Sequence, residues 1–309
     1  MFHEQQQTSQ ESPEKWVKEI MYDFVDRARE GRPYSAAQSD HVVELLVDLN
    51  DQYASHVAGA MCLQRATAKR MPVQERKVLF NRSEEIWQQA VDQWWNGDDL
   101  SSSTLKSALG LVCMDSMRSI IIDRRLPEIE SNQTLYENIG KIATRTVDAH
   151  QEFNMAGRNR EAQYVAGFEA ELVVMMLHQR FMIEDMQSNS MLAVPATLFQ
   201  DTGQKSAENV PNNSWDVTIY SNARKGPLRM VYKVQVKTQR TMHNMYDYAP
   251  QITVVSVMDD LSLGENERYG TPNVTSILRD LVLSANASDR LAVDDELDAR
   301  QRLLIDVLD

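Results

Sequence analysis

The chain has 309 residues, enough for two domains, and its content of 42% hydrophobic and 25% charged residues is typical of globular proteins. Only two cysteines occur, Cys62 and Cys113, which argues against a disulfide scaffold and against a cysteine-based zinc site. The formal net charge of −13, taken as a sum, argues against a nucleic-acid partner, because phosphate binding depends on Lys and Arg.

The N-terminal sequence MFHEQQQTSQESPEKW is polar and predicts no secretory signal peptide. No apolar run reaches the roughly 18 residues that a membrane-spanning helix requires. Together with the low number of cysteines, these features lead us to expect a cytoplasmic protein with no membrane partner.

Helical patterns follow one another through the first 160 residues. The apolar spacing predicts helices over residues 39–65, 75–95, 105–122 and 134–153. The expected N-caps are Ser39 or Asp40 for the first helix, a serine of 101–103 for the third, and Asn132 or Thr134 for the fourth. We therefore predict an all-helical bundle or array over residues 1–160, which would select a substrate or bind a partner.

The pattern changes near Gly167. A helix over residues 166–181 is followed by segments whose patterns predict strands, two of them alternating, and the chain becomes helical again from Thr271-Pro272. The predicted strands are Met191–Phe199, Trp215–Tyr220, Arg229–Gln239 and Gln251–Val257. The sequence thus predicts an α/β fold, in which a small mixed sheet flanked by helices (residues 161–260) lies between the helical region and a helical extension (residues 261–309).

Basic residues are concentrated in residues 224–240, seventeen positions without an Asp or Glu. Those that we expect to contact nucleic acid are Arg224, Lys225, Arg229, Lys233 and Arg240. A solvated hairpin tip is the other interpretation of this charge cluster, and charge alone does not separate the two.

Four residues of the α/β region form a candidate catalytic site. Asp216 begins one predicted strand, Gln235 and Lys237 share a face of the next, and Glu169 lies on the preceding helix. A hard cation such as Mg²⁺ prefers oxygen ligands, so Asp216 would bind it directly and the Gln235 amide oxygen more weakly. Lys237 would orient or activate the attacking water, or stabilise charge on the phosphoryl oxygens. The sequence therefore predicts a site for Mg²⁺, or Mn²⁺, that hydrolyses a phosphodiester.

The spacing of Asp216 and, after eighteen residues, Gln235-Val236-Lys237 resembles the PD-(D/E)xK nuclease superfamily. The phrase Phe168-Glu169-Ala170-Glu171-Leu172-Val173 is similar to the Glu-x-Glu-Leu-Val/Ile phrase of archaeal Holliday-junction resolvases, whose first Glu belongs to the active site. Gln in place of the usual Glu resembles Mrr-type restriction endonucleases. The resemblance covers residues 161–260, and it departs at Trp215, which stands where the superfamily name has Pro.

This resemblance implies a restriction-endonuclease-like core and metal-dependent cleavage of DNA, with Asp216, Gln235 and Glu169 as metal ligands. Glu169 is preferred over Glu171 because it corresponds to the first Glu, and because Val165, Leu172 and Met176 at helical-neighbour spacing place it toward the sheet.

Two other functions stay open. Gln235 and the acidic net charge also fit a nuclease-fold protein that no longer cuts, and that binds nucleic acid or forms part of a larger assembly. The third interpretation is a helical protein-interaction module whose α/β region is only structural. In each case the N-terminal helical region is the expected surface for a homodimer or a protein partner.

Overall fold

The computed structural model describes residues 13–68, 70–98, 100–127, 129–184, 191–197, 214–222, 228–237, 251–256 and 274–285. Over these residues the protein is mostly helical and contains one small four-stranded sheet, so the predicted α/β class is confirmed at that level. None of the helices in these segments is long and apolar enough to cross a membrane.

The helices before the sheet are α1 (Pro13–Arg29), α2 (Ala36–Asp48), α3 (Gln52–Ala66), α4 (Val73–Trp94), α5 (Ser102–Val112), α6 (Met114–Arg118), α7 (Ile129–Met155) and α8 (Asn159–Glu184). A π-helical turn, Ser119–Asp123, follows α6. The strands are β1 (Met191–Pro195), β2 (Val217–Ser221), β3 (Arg229–Lys237) and β4 (Thr253–Ser256), and the helix after them is α9 (Val274–Ala285).

The first helix was predicted as one continuous element over residues 39–65, and this is wrong because these residues belong to two helices. Asn50 adopts a left-handed conformation with φ of 48° and separates helix α2 from helix α3. Ser35, rather than Ser39 or Asp40, caps α2 through a capping box with Gln38. Apolar spacing continued across this break, so periodicity alone did not reveal it.

The caps of the later helices also differ in part from the prediction. Ser101 occupies the N-cap position of α5, although its side chain makes no capping hydrogen bond. The helix over residues 105–122 is interrupted at Cys113 and ends in the π-helical turn, where Arg124 is left-handed with φ of 57°. Helix α7 begins at Ile129, so Asn132 and Thr134 lie inside it and not at its N-cap position.

Trp87 joins three helices of the N-terminal region. Its side chain is buried between Gly59 on α3 and Gly110 on α5, and a Cβ at Gly59 would lie 2.2 Å from the indole Nε1. The same Nε1 donates to the His56 carbonyl oxygen at 3.1 Å. Glycine is therefore required at both positions, because any side chain there would displace the indole.

The four strands lie in the order β1-β2-β3-β4. Neighbours β1–β2 and β2–β3 are antiparallel, whereas β3 and β4 are parallel. Val217 and Ile219 of β2, with Val234 and Val236 of β3, are buried in the same hydrophobic core as α8. The four predicted strands are thus present. Strand β2 begins two residues later than predicted and includes Ser221, and the predicted C-terminal ends of the other three lie outside the described residues.

Helix α8 connects the two parts of the protein. It packs against α5 and α7 of the helical region, against β1 and β3 of the sheet, and against α9. One hydrophobic cluster extends through these contacts, from Val17 to Leu281. The α8 side chains are therefore distributed over several different interfaces, and this decides where its two glutamates lie.

Candidate functional site

Asp216 lies at one end of the sheet, directly before β2. At this end β1 finishes at Pro195, β2 begins at Val217 and β3 finishes at Lys237. The Asp216 backbone is held from both sides, since its N–H donates to the Val234 carbonyl at 2.9 Å and its carbonyl accepts from Ala196 N–H at 2.8 Å. Backbone pairing thus places this carboxylate beside the Gln-x-Lys segment.

The Asp216 side chain is engaged by the neighbouring strand. Its Oδ2 atom accepts from the Val236 backbone N–H at 2.7 Å and from the Gln235 side-chain amide. The Gln235 amide oxygen accepts instead from Ser214 Oγ at 3.3 Å. Gln235 and Asp216 therefore meet as predicted, but Gln235 presents its nitrogen to the carboxylate, not the ligand oxygen that we expected.

A cavity of about 60 Å³ opens beside Asp216, and we call it the sheet-end cavity. It is lined by Asp216 and residues 195–197 of the sheet region, and by residues of α3, α4, α5 and α8. The polar or aromatic lining residues on these helices are His56, Trp87, Lys106, Phe168 and Glu171. The helical region and the sheet thus enclose this cavity together.

Glu171 is the helix carboxylate that shares the cavity with Asp216. Phe168 and Glu171 are three residues apart on α8 and both line it, as neighbours on one helical face do. The Lys106 ammonium lies 3.3 Å from Glu171 Oε1, and the two side chains are 33% and 15% exposed. This arrangement differs from the expectation that Glu169 would face the Asp216 site.

The Glu169 side chain instead points from α8 toward α7 and α9 and is fully buried. Its Oε2 accepts from Thr275 Oγ1 and from His150 Nδ1, each at 2.9 Å. Glu169 Oε1 has no hydrogen-bond partner among the described residues. We call His150, Glu169 and Thr275 the His150 cluster. The hydrogen bond that His150 donates to Glu169 raises the pKa of His150 above its usual value, against an opposing effect of burial.

His56 is the neutral polar group of the sheet-end cavity. Burial, and then the nearby Lys106 ammonium, lower the pKa of His56 to about 3. Its Nδ1 lies 3.1 Å from Ser107 Oγ, and its ring stacks on Trp87 with 5.9 Å between centroids. The imidazole is therefore uncharged at physiological pH, and Lys106 is the cation on this side of the cavity.

The remaining predicted residues are distributed along β3 or lie outside the described segments. Lys237 is partly buried and pairs with Ser256 of β4, two residues from Gln235 on the same face. Arg229 is exposed, and the Lys233 ammonium lies 4.5 Å from the Trp215 ring centroid. Arg224, Lys225 and Arg240 lie outside the residues that the structure describes.

Lys106 and His56 were missed by sequence reasoning, and Glu171 was considered but not chosen. Lys106 meets Glu171 across 65 positions of sequence, and no spacing rule predicts a contact of that kind. One sequence signal could have indicated Glu171: it lies three residues after Phe168, so the two side chains share one face of the helix.

Within the described segments, no three His, Cys, Asp or Glu side chains gather in a group that could hold a metal ion. The sheet-end cavity contributes two carboxylates, those of Asp216 and Glu171. Comparison of the chain with protein-family models, curated proteins and solved structures finds no match. The functional conclusion therefore depends on the geometry of this site.

Proposed function

We propose that this protein is a metal-dependent phosphodiesterase that cleaves DNA, with a restriction-endonuclease-like core of the PD-(D/E)xK type. The observation that carries the proposal is that Asp216, whose carboxylate accepts from the Gln235 amide, lines the sheet-end cavity together with Glu171. The chain order also supports it, because a helix carboxylate precedes the strand Asp, which precedes the Gln-x-Lys strand.

The donor set of the cavity fits a divalent cation such as Mg²⁺ or Mn²⁺. Mg²⁺ takes one or two carboxylates and keeps several waters, and the cavity has room for a few water molecules. Asp216 and Glu171 would hold the cation. Glu169 is already occupied by His150 and Thr275, so we transfer the proposed role of the helix ligand to Glu171.

The other residues of the site act through position and charge. A bound cation would supply an activated water and would offset charge on the phosphoryl group. Gln235 and the Val236 N–H hold Asp216 Oδ2 in one orientation. Lys237, on the same face of β3 as Gln235, would orient or activate the attacking water, or stabilise the phosphoryl oxygens. Arg229 is the exposed basic residue of β3 that would contact the DNA backbone.

The test is cleavage of linear duplex, single-stranded and branched DNA by the purified full-length protein with Mg²⁺, Mn²⁺ or EDTA. We expect cation-dependent cleavage that Asp216→Ala and Lys237→Ala abolish. Asp115→Ala and Lys141→Ala are matched controls and should cleave normally, since Asp115 is 97% exposed and Lys141 is exposed on α7. Cleavage that persists in Asp216→Ala would rule out this site.

One observation favours a second candidate, a nuclease-fold protein that binds nucleic acid without cutting it. Asp216 Oδ2 already has two protein donors, Gln235 and Val236, so this oxygen is satisfied without a cation. This candidate predicts retardation of DNA on a gel with no cleavage and no uptake of Mn²⁺. If the protein neither cuts nor retards DNA, both candidates fail and the protein-interaction function gains.

A further inference from the structure

We propose that Lys106 is the internal counter-ion of the sheet-end cavity, and that it exchanges places with the divalent cation at Glu171. Lys106 is then a positioning residue contributed by the helical region, and it competes with the cation for one carboxylate. The inference rests on the proposed function only in requiring that the cavity binds a divalent cation.

The contact that carries this proposal joins two parts of the protein. Lys106 is on α5 and Glu171 is on α8, and their Nζ and Oε1 atoms are 3.3 Å apart. Both residues line the sheet-end cavity, and so does Asp216. The Lys106 ammonium is thus placed at a cavity that two carboxylates line, where its charge offsets their negative charge.

The Lys106 charge also acts on His56, another residue that lines the cavity. The neighbouring His56 is uncharged, and the Lys106 ammonium contributes to that state. The Glu171 side chain is only 15% exposed, so solvent screens its interactions less than those of a surface carboxylate. An ammonium and a divalent cation that use this carboxylate at the same time would repel each other strongly.

The Lys106 side chain has a route out of the contact. It is 33% exposed and consists of a flexible four-carbon chain, so its ammonium can turn toward solvent while Glu171 stays on α8. Exchange therefore needs no movement of a helix. Loss of the Lys106 charge should strengthen cation binding, whereas a purely structural role for Lys106 would leave it unchanged or weaken it.

The first test uses the unaltered full-length protein and an amine-acetylating reagent, with labelling of each lysine followed by peptide mass spectrometry. Saturating Mn²⁺ should release Lys106 from its charge-assisted hydrogen bond and raise its labelling rate at least about threefold. Lys141, whose ammonium contacts Asn138 on the same helix, should be labelled equally with and without Mn²⁺. Unchanged or slower labelling of Lys106 in Mn²⁺ would overturn the proposal.

The second test compares the Mn²⁺ affinity of variants by calorimetry, with the metal alone as the probe. Lys106→Met should bind Mn²⁺ about tenfold more tightly than the unaltered protein, which corresponds to about 1.4 kcal/mol. Lys106→Arg keeps the charge and should stay within about twofold. Lys141→Met is the control and should show no change. Equal or weaker binding by folded Lys106→Met rejects the exchange.

These results separate this inference from the proposed function. If the protein binds Mn²⁺ and Lys106 responds as expected but no DNA is cut, the proposed activity fails and the exchange stands. If Mn²⁺ does not bind, both fail. If Lys106→Met does not fold, the labelling of Lys106 in the unaltered protein still decides the question.

Discussion

Two glutamates of α8, only two residues apart, lie in environments that have almost nothing in common. Glu169 is fully buried in the His150 cluster, where Thr275 and His150 donate to one of its oxygens. Glu171 faces the sheet-end cavity, where it pairs with Lys106 and shares the space with Asp216. One helix thus contributes one carboxylate to internal packing and another to a candidate catalytic site.

The difference follows from helix geometry. Side chains two positions apart on a helix point about 200° away from each other around its axis. Glu169 therefore faces α7 and α9, whereas Glu171 faces the cavity. A carboxyl group that is closed in by donors stabilises the fold, whereas one that faces a cavity and a cation can exchange partners. The two residues therefore offer a direct test of which glutamate serves function and which serves stability.

The largest effect should be on DNA cleavage. Glu171→Ala removes a proposed cation ligand and should lower the cleavage rate about a thousandfold, roughly 4 kcal/mol at the transition state. Glu169→Gln keeps the shape of the His150 cluster and should change the rate less than about tenfold. Initial rates at saturating Mn²⁺ measure both. The opposite order of the two effects would restore Glu169 as the helix ligand.

The second effect should be on stability, with the order of the two glutamates reversed. Glu169→Ala leaves a buried cavity and removes the acceptor of His150 and Thr275, so it should cost about 3 kcal/mol. Glu171→Ala breaks only a partly exposed ion pair with Lys106 and should cost less than about 1 kcal/mol. Urea unfolding in EDTA measures both values. Equal losses would mean that the two environments do not differ as described.

Local patterns predicted much of the fold. The four strands were recognised from patterns in their own residues, and the strand pairing then brought Asp216 beside Gln235 as expected. The break at Asn50 was not predicted, because it depends on a single left-handed residue inside continuous apolar spacing. Helices and strands that are determined by the pattern of their own residues could therefore be predicted.

The candidate site was only partly predictable, for a different reason. The choice between Glu169 and Glu171 depends on which helices pack against each side of α8, and Thr275 lies 106 positions from Glu169. The Lys106 partner of Glu171 comes from a region for which no role in the site was expected. Contacts of this kind are fixed by tertiary packing, which periodicity in one segment does not encode.

Gln235→Glu should distinguish a cation site from a merely satisfied carboxylate. The Gln235 amide donates to Asp216, so a second carboxylate in this buried position should cost about 2 kcal/mol in EDTA. If Asp216 binds a cation, Mn²⁺ should restore the lost stability, because the added oxygen is a better ligand than an amide. Thermal unfolding with and without Mn²⁺ measures this.

The matched control for that change is Gln88→Glu. Gln88 also donates its amide to an aspartate, Asp92 at 2.7 Å, but the pair is exposed on α4. Its replacement should alter stability by less than about 0.5 kcal/mol and should not respond to Mn²⁺. A deficit in Gln235→Glu that Mn²⁺ does not relieve would favour the non-cutting function.

The His150 cluster should give stability a pH dependence opposite in sign to that of His56, whose lowered pKa costs stability as pH falls below the usual value. The pKa of His150 is raised above its usual 6.5, so its stabilising effect is complete below about pH 6.5 and is lost as pH rises through the folded-state value. The stability difference between the unaltered protein and His150→Gln should therefore be larger at about pH 6 than at about pH 9. A difference that grows with pH contradicts this assignment.

The smallest effect should come from the hydroxyl that ties α9 to Glu169. Thr275→Val replaces the donor of a 2.9 Å hydrogen bond with a methyl group of similar shape, and it should cost about 1 kcal/mol. Thr275→Ser keeps the hydroxyl and should recover most of the part due to the hydrogen bond. If Thr275→Val loses nothing in urea unfolding while Thr275→Ser is destabilised, the methyl packing of Thr275 matters and the hydrogen bond does not. Mn²⁺ affinity should be unchanged in both, because Glu169 and the sheet-end cavity act independently on opposite sides of α8.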